Sequence, residues 1–336
     1  MTDEELSSRR PVRWGILGAG GIAEKVATDI GLTDGNEVVA VGARNADRAA
    51  QFAQRHGIAH HYGNYESLVA DDAIDVVYIA TTHPGHKEHA LLAIGAGRAV
   101  LIEKPVCLNA ADARVVFQAA HDAGVFAMDA MWMRTNPLVL HAQQLIADGA
   151  IGEVRGLRFE FGLGIRFDAS HRLYDIDNGG GALLDIGIYP VTFAYHFLGH
   201  PDAVQTLGTL APTGADDIVT MEWLYSGQPL AQLWCSLSVD APNEAAILGT
   251  RGWIRFEPKA HRPTGLTVHS GGEQHRVADP LTGNGNGYGP EILEVERCLR
   301  QRLLESPLVP VADTIAILEI LDDARAALGV IYPSER

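Results

Sequence analysis

Cysteine is scarce: the 336 residues hold three, Cys107, Cys235 and Cys298, far apart and with no CxxC pair. That spacing excludes a disulfide framework and a zinc-ligand cluster, and it predicts a chain that works in a reducing cytoplasm. Basic charge is also short, with 26 Lys and Arg against 42 Asp and Glu and a net charge of -16. The summed field repels nucleic acid and anionic membrane, so neither is expected as a partner. No run approaches the roughly 20 apolar residues that span a bilayer. Ser7-Ser8-Arg9-Arg10 carries the arginine pair of an export signal, but the stretch after it lacks the apolar h-region such a signal needs. There is no internal repeat and no low-complexity segment. A soluble globular protein remains, and at roughly 150 residues per domain its length predicts two domains.

The first expected domain, residues 1–131, alternates short apolar runs with amphipathic stretches. The runs are 14–17, 37–43, 76–80, 99–102 and 125–128, and residues 46–56, 87–96 and 110–123 between them have helical spacing. That pattern predicts an α/β fold, a doubly wound parallel sheet of Rossmann type covered on both faces. A helix is expected over 137–147. From Gly152 onward the segments lengthen and alternate with period two, at 154–162, 203–210, 218–224, 230–239, 245–248 and 253–256. They predict a large open sheet, mostly antiparallel, in a second α/β domain over 132–336 that serves substrate binding and dimerisation. A second copy covering its open face gives a homodimer, and a further pairing gives a tetramer. Helices over 291–304 and 314–328 close the chain, after a glycine- and asparagine-rich loop at 283–289.

Trp14-Gly-Ile-Leu-Gly18-Ala-Gly20-Gly21-Ile22-Ala23 places GxGxxA between the first strand and a helix running to about residue 30. Gly18 suits a tight turn, Gly20 and Gly21 a close backbone approach to a pyrophosphate, Ile22 the head of the helix and Ala23 its packing. A dinucleotide is the expected cofactor. At the end of the second strand, Val41-Gly42-Ala43-Arg44-Asn45 lacks the acidic side chain that holds an NAD ribose. Ala43 leaves room and Arg44 offers a planar fork of donors to a 2′-phosphate, so NADP is expected in preference to NAD.

The fifth strand ends in Glu103-Lys104-Pro105, which places an ammonium at the carboxyl edge of the sheet, where open α/β folds bind ligands and where it can stabilise a developing alkoxide. Together with Ala80-Thr81-Thr82 and its following His86 and His89, and with Gly179-Gly-Gly-Ala-Leu-Leu-Asp185-Ile-Gly-Ile-Tyr189-Pro190, this tripeptide resembles the Gfo/Idh/MocA oxidoreductase family, in its dihydrodiol dehydrogenase and NADP-dependent D-xylose dehydrogenase branch. The similarity runs from Val12 nearly to the end. It implies a Rossmann domain, a C-terminal domain with a large open sheet, and a catalytic Lys104. Many relatives carry histidine four residues after the aspartate; this chain has Tyr189, as that branch does.

Asp185 and Tyr189 share a face if their segment is helical. A phenol is a poor base near neutrality, but a neighbouring ammonium such as Lys104 favours its phenolate and makes Tyr189 a proton shuttle, with Asp185 orienting substrate hydroxyls or the lysine. Thr81, Thr82, His86 and Glu103 are expected to line the nicotinamide end. Trp132 and Arg134 follow the last Rossmann strand and are candidates for stacking on a ring substrate and for a polar contact. Arg172 and Tyr174 precede the glycine triplet and are candidates for shaping the pocket. His83, His86 and His89 are spaced three residues apart with no acidic cluster nearby, and no metal is expected. The expected activity is hydride transfer between nicotinamide and a hydroxyl-bearing carbon of a small cyclic polyol, aldose sugar or trans-dihydrodiol. Two rivals are a non-catalytic dinucleotide-binding regulator and a glycosidase that retains NAD through internal redox.

Overall fold

The computed structural model describes residues 10–227, 229–280 and 285–335. Ser7, Ser8 and Arg9 of the arginine-pair stretch, and Gly283 and Asn284 of the glycine-rich loop, lie outside them. The chain divides into two compact units: the described parts of Met1–Cys107, Ala111–Trp132 and Gly283–Val311, and those of Leu108–Ala110, Met133–Thr282 and Ala312–Arg336.

In the first unit β1 (Val12–Leu17), β2 (Asn36–Gly42), β3 (His60–Tyr62), β4 (Val76–Ile79), β5 (Ala99–Ile102) and β6 (Ala127–Asp129) form a parallel sheet in the order β3-β2-β1-β4-β5-β6. The strands alternate in sequence with α1 (Gly21–Leu32), α2 (Ala46–His56), α3 (Tyr65–Val69), α4 (His86–Gly95) and α5 (Ala110–Ala123). Every residue of β4, β5 and β6 is buried, the signature of a sheet covered on both faces and the reason its strands read as unbroken apolar runs. The order of strands reverses between β1 and β4, which opens the crevice at their carboxyl ends.

The second unit begins with α6 (Pro137–Ala147), started by Asn136, whose side chain accepts from Leu138 N, and by Pro137 in its first turn. Its sheet holds β7 (Val154–Gly162), then, after α7 (Ile188–Leu198), β8 (Ala203–Leu210), β9 (Asp216–Leu224), β10 (Leu230–Ser236), β11 (Ala245–Gly249), β12 (Gly252–Phe256), β13 (Gly265–Ser270) and β14 (Glu273–Ala278). The order is β14-β13-β12-β11-β7-β10-β9-β8, antiparallel everywhere except the β7–β10 pair. α7 is apolar all round and lies on the inner face, where Phe193 meets Phe159 and Phe256 edge-on at 5.2 and 5.1 Å between centroids. Among the described residues nothing comparable covers the other face: Leu207, Leu224 and Leu230 are exposed, and Trp234 and Trp253 partly so.

The last two helices are α8 (Gly289–Arg300) and α9 (Val311–Leu328). α8 ends sooner than the sequence spacing suggests, because Arg302 takes a left-handed conformation with φ +56° and turns the chain. It belongs to the first unit, and the tie is polar: buried Asp29 of α1 accepts from the backbone N–H groups of Asn286 and Tyr288 at 2.7 and 2.8 Å and from the Asn286 amide at 2.9 Å. No described helix is long and apolar enough to cross a membrane.

Candidate functional site

The site residues fall into one group in each unit. In the first unit the chain leaves β1 at Gly18 with φ +109°, and a Cβ there would stand 2.7 Å from the Ala80 carbonyl oxygen, so only glycine permits this approach of β1 to β4. Gly20 heads α1 with no side-chain cap, and nothing lies within 4 Å of where a Cβ of Gly20 or Gly21 would be. Twelve helical residues thus present their leading N–H groups at an open position, with Ile22 half-buried and Ala23 packed below. Dipole and donors together make an open seat for an anion such as a pyrophosphate. The residues present fit a dinucleotide.

At the end of β2, Ala43 is buried and Arg44 exposed. Arg44 is hydrogen-bonded to the Tyr65 hydroxyl, and it partly offsets the burial that pushes this phenol up. Arg48, which sequence reading passed over, donates to the Ala19 carbonyl at 3.1 Å. One guanidinium group, that of Arg48, therefore stands beside the glycine turn, and that of Arg44 lies at the end of β2 against Tyr65. The signal was available as spacing: Asn45 caps α2 by accepting from Arg48 N at 3.0 Å, which places Arg48 in the first turn and four residues beyond Arg44.

Beyond β4, Thr82 is exposed, and the Thr81 hydroxyl lies 3.0 Å from His89 Nδ1. His86 is wholly enclosed, its ring nitrogens 2.8 Å from the Pro105 carbonyl and 3.1 Å from that of Thr81. It braces the ends of β4 and β5 against each other, and burial lowers its pKa. After β5, Glu103 is buried and accepts from the Tyr78 hydroxyl and from the backbone N–H of Lys104, the latter at 3.1 Å. Lys104 itself is half-exposed and joins Pro105 through a cis peptide. Behind them Glu291 of α8 is fully buried, with no hydrogen-bond partner for either oxygen among the described residues. Burial, then the fields of Glu103, Asp129 and Asp29, push its carboxyl well above the usual range. Trp132 stacks on Tyr288 at 4.5 Å between ring centroids.

In the second unit the glycine triplet is a place of close approach. Gly180 packs against the backbone carbonyls of Arg172, Leu173 and Asp175, and its N–H donates to the last of them at 2.9 Å. Leu183–Gly187 then forms one π turn that runs into α7. Such turns recur at functional positions because they shift side chains out of the α-helical register. Asp185 lies within it and Tyr189 one residue into α7, both buried at 6% and 5% exposure. Asp185 accepts from the exposed Arg172 guanidinium at 3.1 Å, so these two candidates meet. Tyr189 packs beside Phe161 and His261 at 5.7 and 5.4 Å, and His261 stacks on Phe161 at 4.4 Å. His261 carried no sequence signal, since it sits in an irregular stretch between β12 and β13.

Two other candidates stand elsewhere. Tyr174 is fully buried and its hydroxyl donates to the Ile165 carbonyl at 2.9 Å, which ties down the loop before the triplet. Arg134 is buried and paired with Asp313 at 2.7 Å. No group of three or more His, Cys, Asp or Glu among the described residues could hold a metal ion.

A six-stranded parallel sheet with an open, uncapped glycine turn at its reversal point defines a dinucleotide-binding oxidoreductase class. Comparison makes this specific. Residues 12–130 match the family model described as "Oxidoreductase family, NAD-binding Rossmann fold", and residues 139–255 match the "GFO/IDH/MocA C-terminal domain". The chain belongs to the Gfo/Idh/MocA family. It is 40% identical over 97% of its length to a Mus musculus protein named trans-1,2-dihydrobenzene-1,2-diol dehydrogenase, of which it covers 99%. Among solved structures, an aldose-aldose oxidoreductase from Caulobacter crescentus, complexed with glycerol, superposes with a TM-score of 0.86 at 22% identity, over 95% of this chain and 98% of that one. A levoglucosan dehydrogenase in complex with NADH and levoglucosan gives 0.84 at 22%, over 95% and 98%.

Proposed function

We propose that this protein is an NADP-dependent dehydrogenase that acts on a hydroxyl-bearing carbon of a cyclic polyol, an aldose sugar or a trans-dihydrodiol. The observation that carries the reading is the open glycine turn followed, across the same sheet edge, by the half-exposed Lys104. Near-full-length similarity to a dihydrodiol dehydrogenase supports the substrate class. When bound, the dinucleotide accepts or supplies the hydride. The N–H groups of Gly20, Gly21 and Ile22 hold its pyrophosphate, with Gly18 shaping the turn. Ala43 leaves room beside the ribose, and Arg44 and Arg48 hold the 2′-phosphate. Thr81, Thr82, Glu103 and Lys104 border the nicotinamide half, with His86 fixing the backbone around them. In the oxidative direction Tyr189 takes the proton of the substrate hydroxyl while the Lys104 ammonium donates a hydrogen bond to the same oxygen, offsetting the charge that develops there as the carbon loses hydride. Asp185, held by Arg172, orients a neighbouring hydroxyl.

The test is nicotinamide reduction, followed by absorbance, with NADP and NAD against a panel of aldoses, inositols and trans-diols. Turnover on at least one class supports the reading; tight dinucleotide binding without turnover on any would replace it with a regulator, and copurified NAD without net turnover with a glycosidase. Replacing both Arg44 and Arg48 with Ala should raise KM for NADP roughly 10–100-fold, the loss of two charge-assisted contacts, and leave KM for NAD within about threefold. An unchanged ratio of the two KM values would assign the arginines to the surface alone.

We also infer a homodimer through the open face of the second sheet, where Leu207, Leu224, Leu230 and Trp234 form an apolar surface. Trp234→Glu should shift the sedimentation coefficient to that of a monomer, and a wild-type chain sedimenting as a monomer would remove the proposal. The three buried free thiols accord with a cytoplasmic location, which cell fractionation checks.

A further inference from the structure

Asp216 begins β9 and is 0% exposed. Its Oδ2 accepts from Leu183 N at 2.6 Å, and the N–H of Ala182 is also hydrogen-bonded to it. Its Oδ1 has no hydrogen-bond partner among the described residues and lies against Gly181, where φ is +142° and any Cβ would overlap the carboxylate. Neither the π turn Leu183–Gly187 nor α7 has a side-chain cap of its own. The leading N–H groups of the segment carrying Asp185 and Tyr189 are therefore met by a carboxylate from a strand some 30 residues away, and the last glycine of the triplet is what lets it in. Cys235 of β10 packs against the same turn, its sulfur 2.9 Å from where a Cβ of Gly187 would be.

We propose that Asp216 is a positioning residue for the reaction: its carboxylate grips the head of the segment 182–198 and sets the register in which Asp185 and Tyr189 are presented. The inference rests on the role given above to Tyr189. An anion at a helix head gains from the dipole and from the free donors, and a buried one is not screened by solvent. Protonation removes the charge from these contacts and loosens the grip. The groups that act on Asp216 are the backbone N–H groups of Leu183, Ala182 and Asp216 itself, the Arg325 guanidinium of α9, the Tyr332 hydroxyl and the Cys235 thiol. Burial outweighs the hydrogen bonds and Arg325 and raises the carboxyl to about 6. Activity should thus fall on the acid side through that pH.

The sign for stability is opposite. A carboxyl raised in the folded state binds its proton more tightly there than in the unfolded chain, so folding is favoured as pH falls through about 6 and loses that contribution above it. Removing the charge with Asp216→Asn should leave the fold at least as stable at neutral pH. A loss of turnover in that variant then reports positioning.

The experiment compares kcat and KM against pH for the full-length wild type, Asp216→Asn, Asp216→Ala and Tyr189→Phe, with thermal midpoints for each. The wild type should show an acid limb near pH 6. Asp216→Asn should lose that limb, with kcat down about tenfold at neutral pH, the loss expected for one charge-assisted contact. Its KM for NADP should stay within about twofold, since the dinucleotide residues belong to the other unit. Asp216→Ala should fall further if it folds, and Asp216→Asn decides the question if it does not. An Asp216→Asn enzyme with wild-type kcat and an unmoved acid limb, beside an inactive Tyr189→Phe, overturns this inference alone. Full turnover by Tyr189→Phe overturns the catalytic role on which it rests.

Discussion

Lys104→Met is expected to lower kcat at least about 10³-fold while the dissociation constant of NADPH stays within a few-fold. Methionine keeps the length and most of the volume of the side chain and removes only the ammonium. Removing one preorganised donor from a developing oxyanion costs roughly 10²–10³ in rate, and loss of the positive charge also weakens the proton transfer that accompanies it, itself a factor of roughly 10²–10⁴. On the reading proposed above, the dinucleotide would be held by the glycine turn, the head of α1 and the Arg44 and Arg48 pair, none of which the substitution touches. Stability should hold as well, because Lys104 is half-exposed and the hydrogen bonds that fix its backbone run through Glu103 and Tyr78. Steady-state rates with fluorescence titration of NADPH separate the two quantities. Retained turnover would end the assignment of Lys104, and a parallel loss of NADPH binding would recast it as a cofactor contact.

Tyr189→Phe should lower kcat by about 10²–10⁴, with KM for substrate changed much less, because in the role proposed for it the phenol oxygen acts where the proton moves and contributes little to ground-state binding. The ring is retained, so its packing against Phe161 and His261 persists. A near-isosteric exchange of this kind alters stability by less than about 1.5 kcal/mol. Thermal unfolding beside kcat therefore distinguishes lost chemistry from lost fold. If the variant turned over at the wild-type rate, Tyr189 would be a core aromatic and another group would carry the proton.

The unequal legibility of the fold follows from burial. β1, β2, β4 and β5 lie inside a sheet covered on both faces and announce themselves as apolar runs. β14, with Glu273, Gln274, His275 and Arg276 exposed at the sheet edge, has no apolar period to detect, and β3 is three residues of His, His and Tyr. β13 did carry a signal, Leu266 and Val268 alternating inward, but it lies in a glycine-rich stretch that reads as loop. The candidate site divides in the same way. Gly18, Arg44, Lys104, Asp185 and Tyr189 were legible from motif and spacing. His86 and Tyr174 were legible as polar residues near the site, but only coordinates place both rings wholly inside, bonded to backbone carbonyls.

What the sequence by itself determined is whatever depends on neighbours along the chain: the strand-turn-helix around Gly18, the missing acid after β2, the lysine at the end of β5, and the alternation that builds the second sheet. The tertiary structure alone decided which distant groups complete them. Asp29 draws residues 285–289 and α8 into the first unit, and Asp216 meets the head of the segment bearing Tyr189. Both are buried carboxylates that accept from backbone N–H groups far off in sequence. A backbone donor looks the same in every residue, so the identity of the partner appears only once the chain has folded and brought it within hydrogen-bond reach.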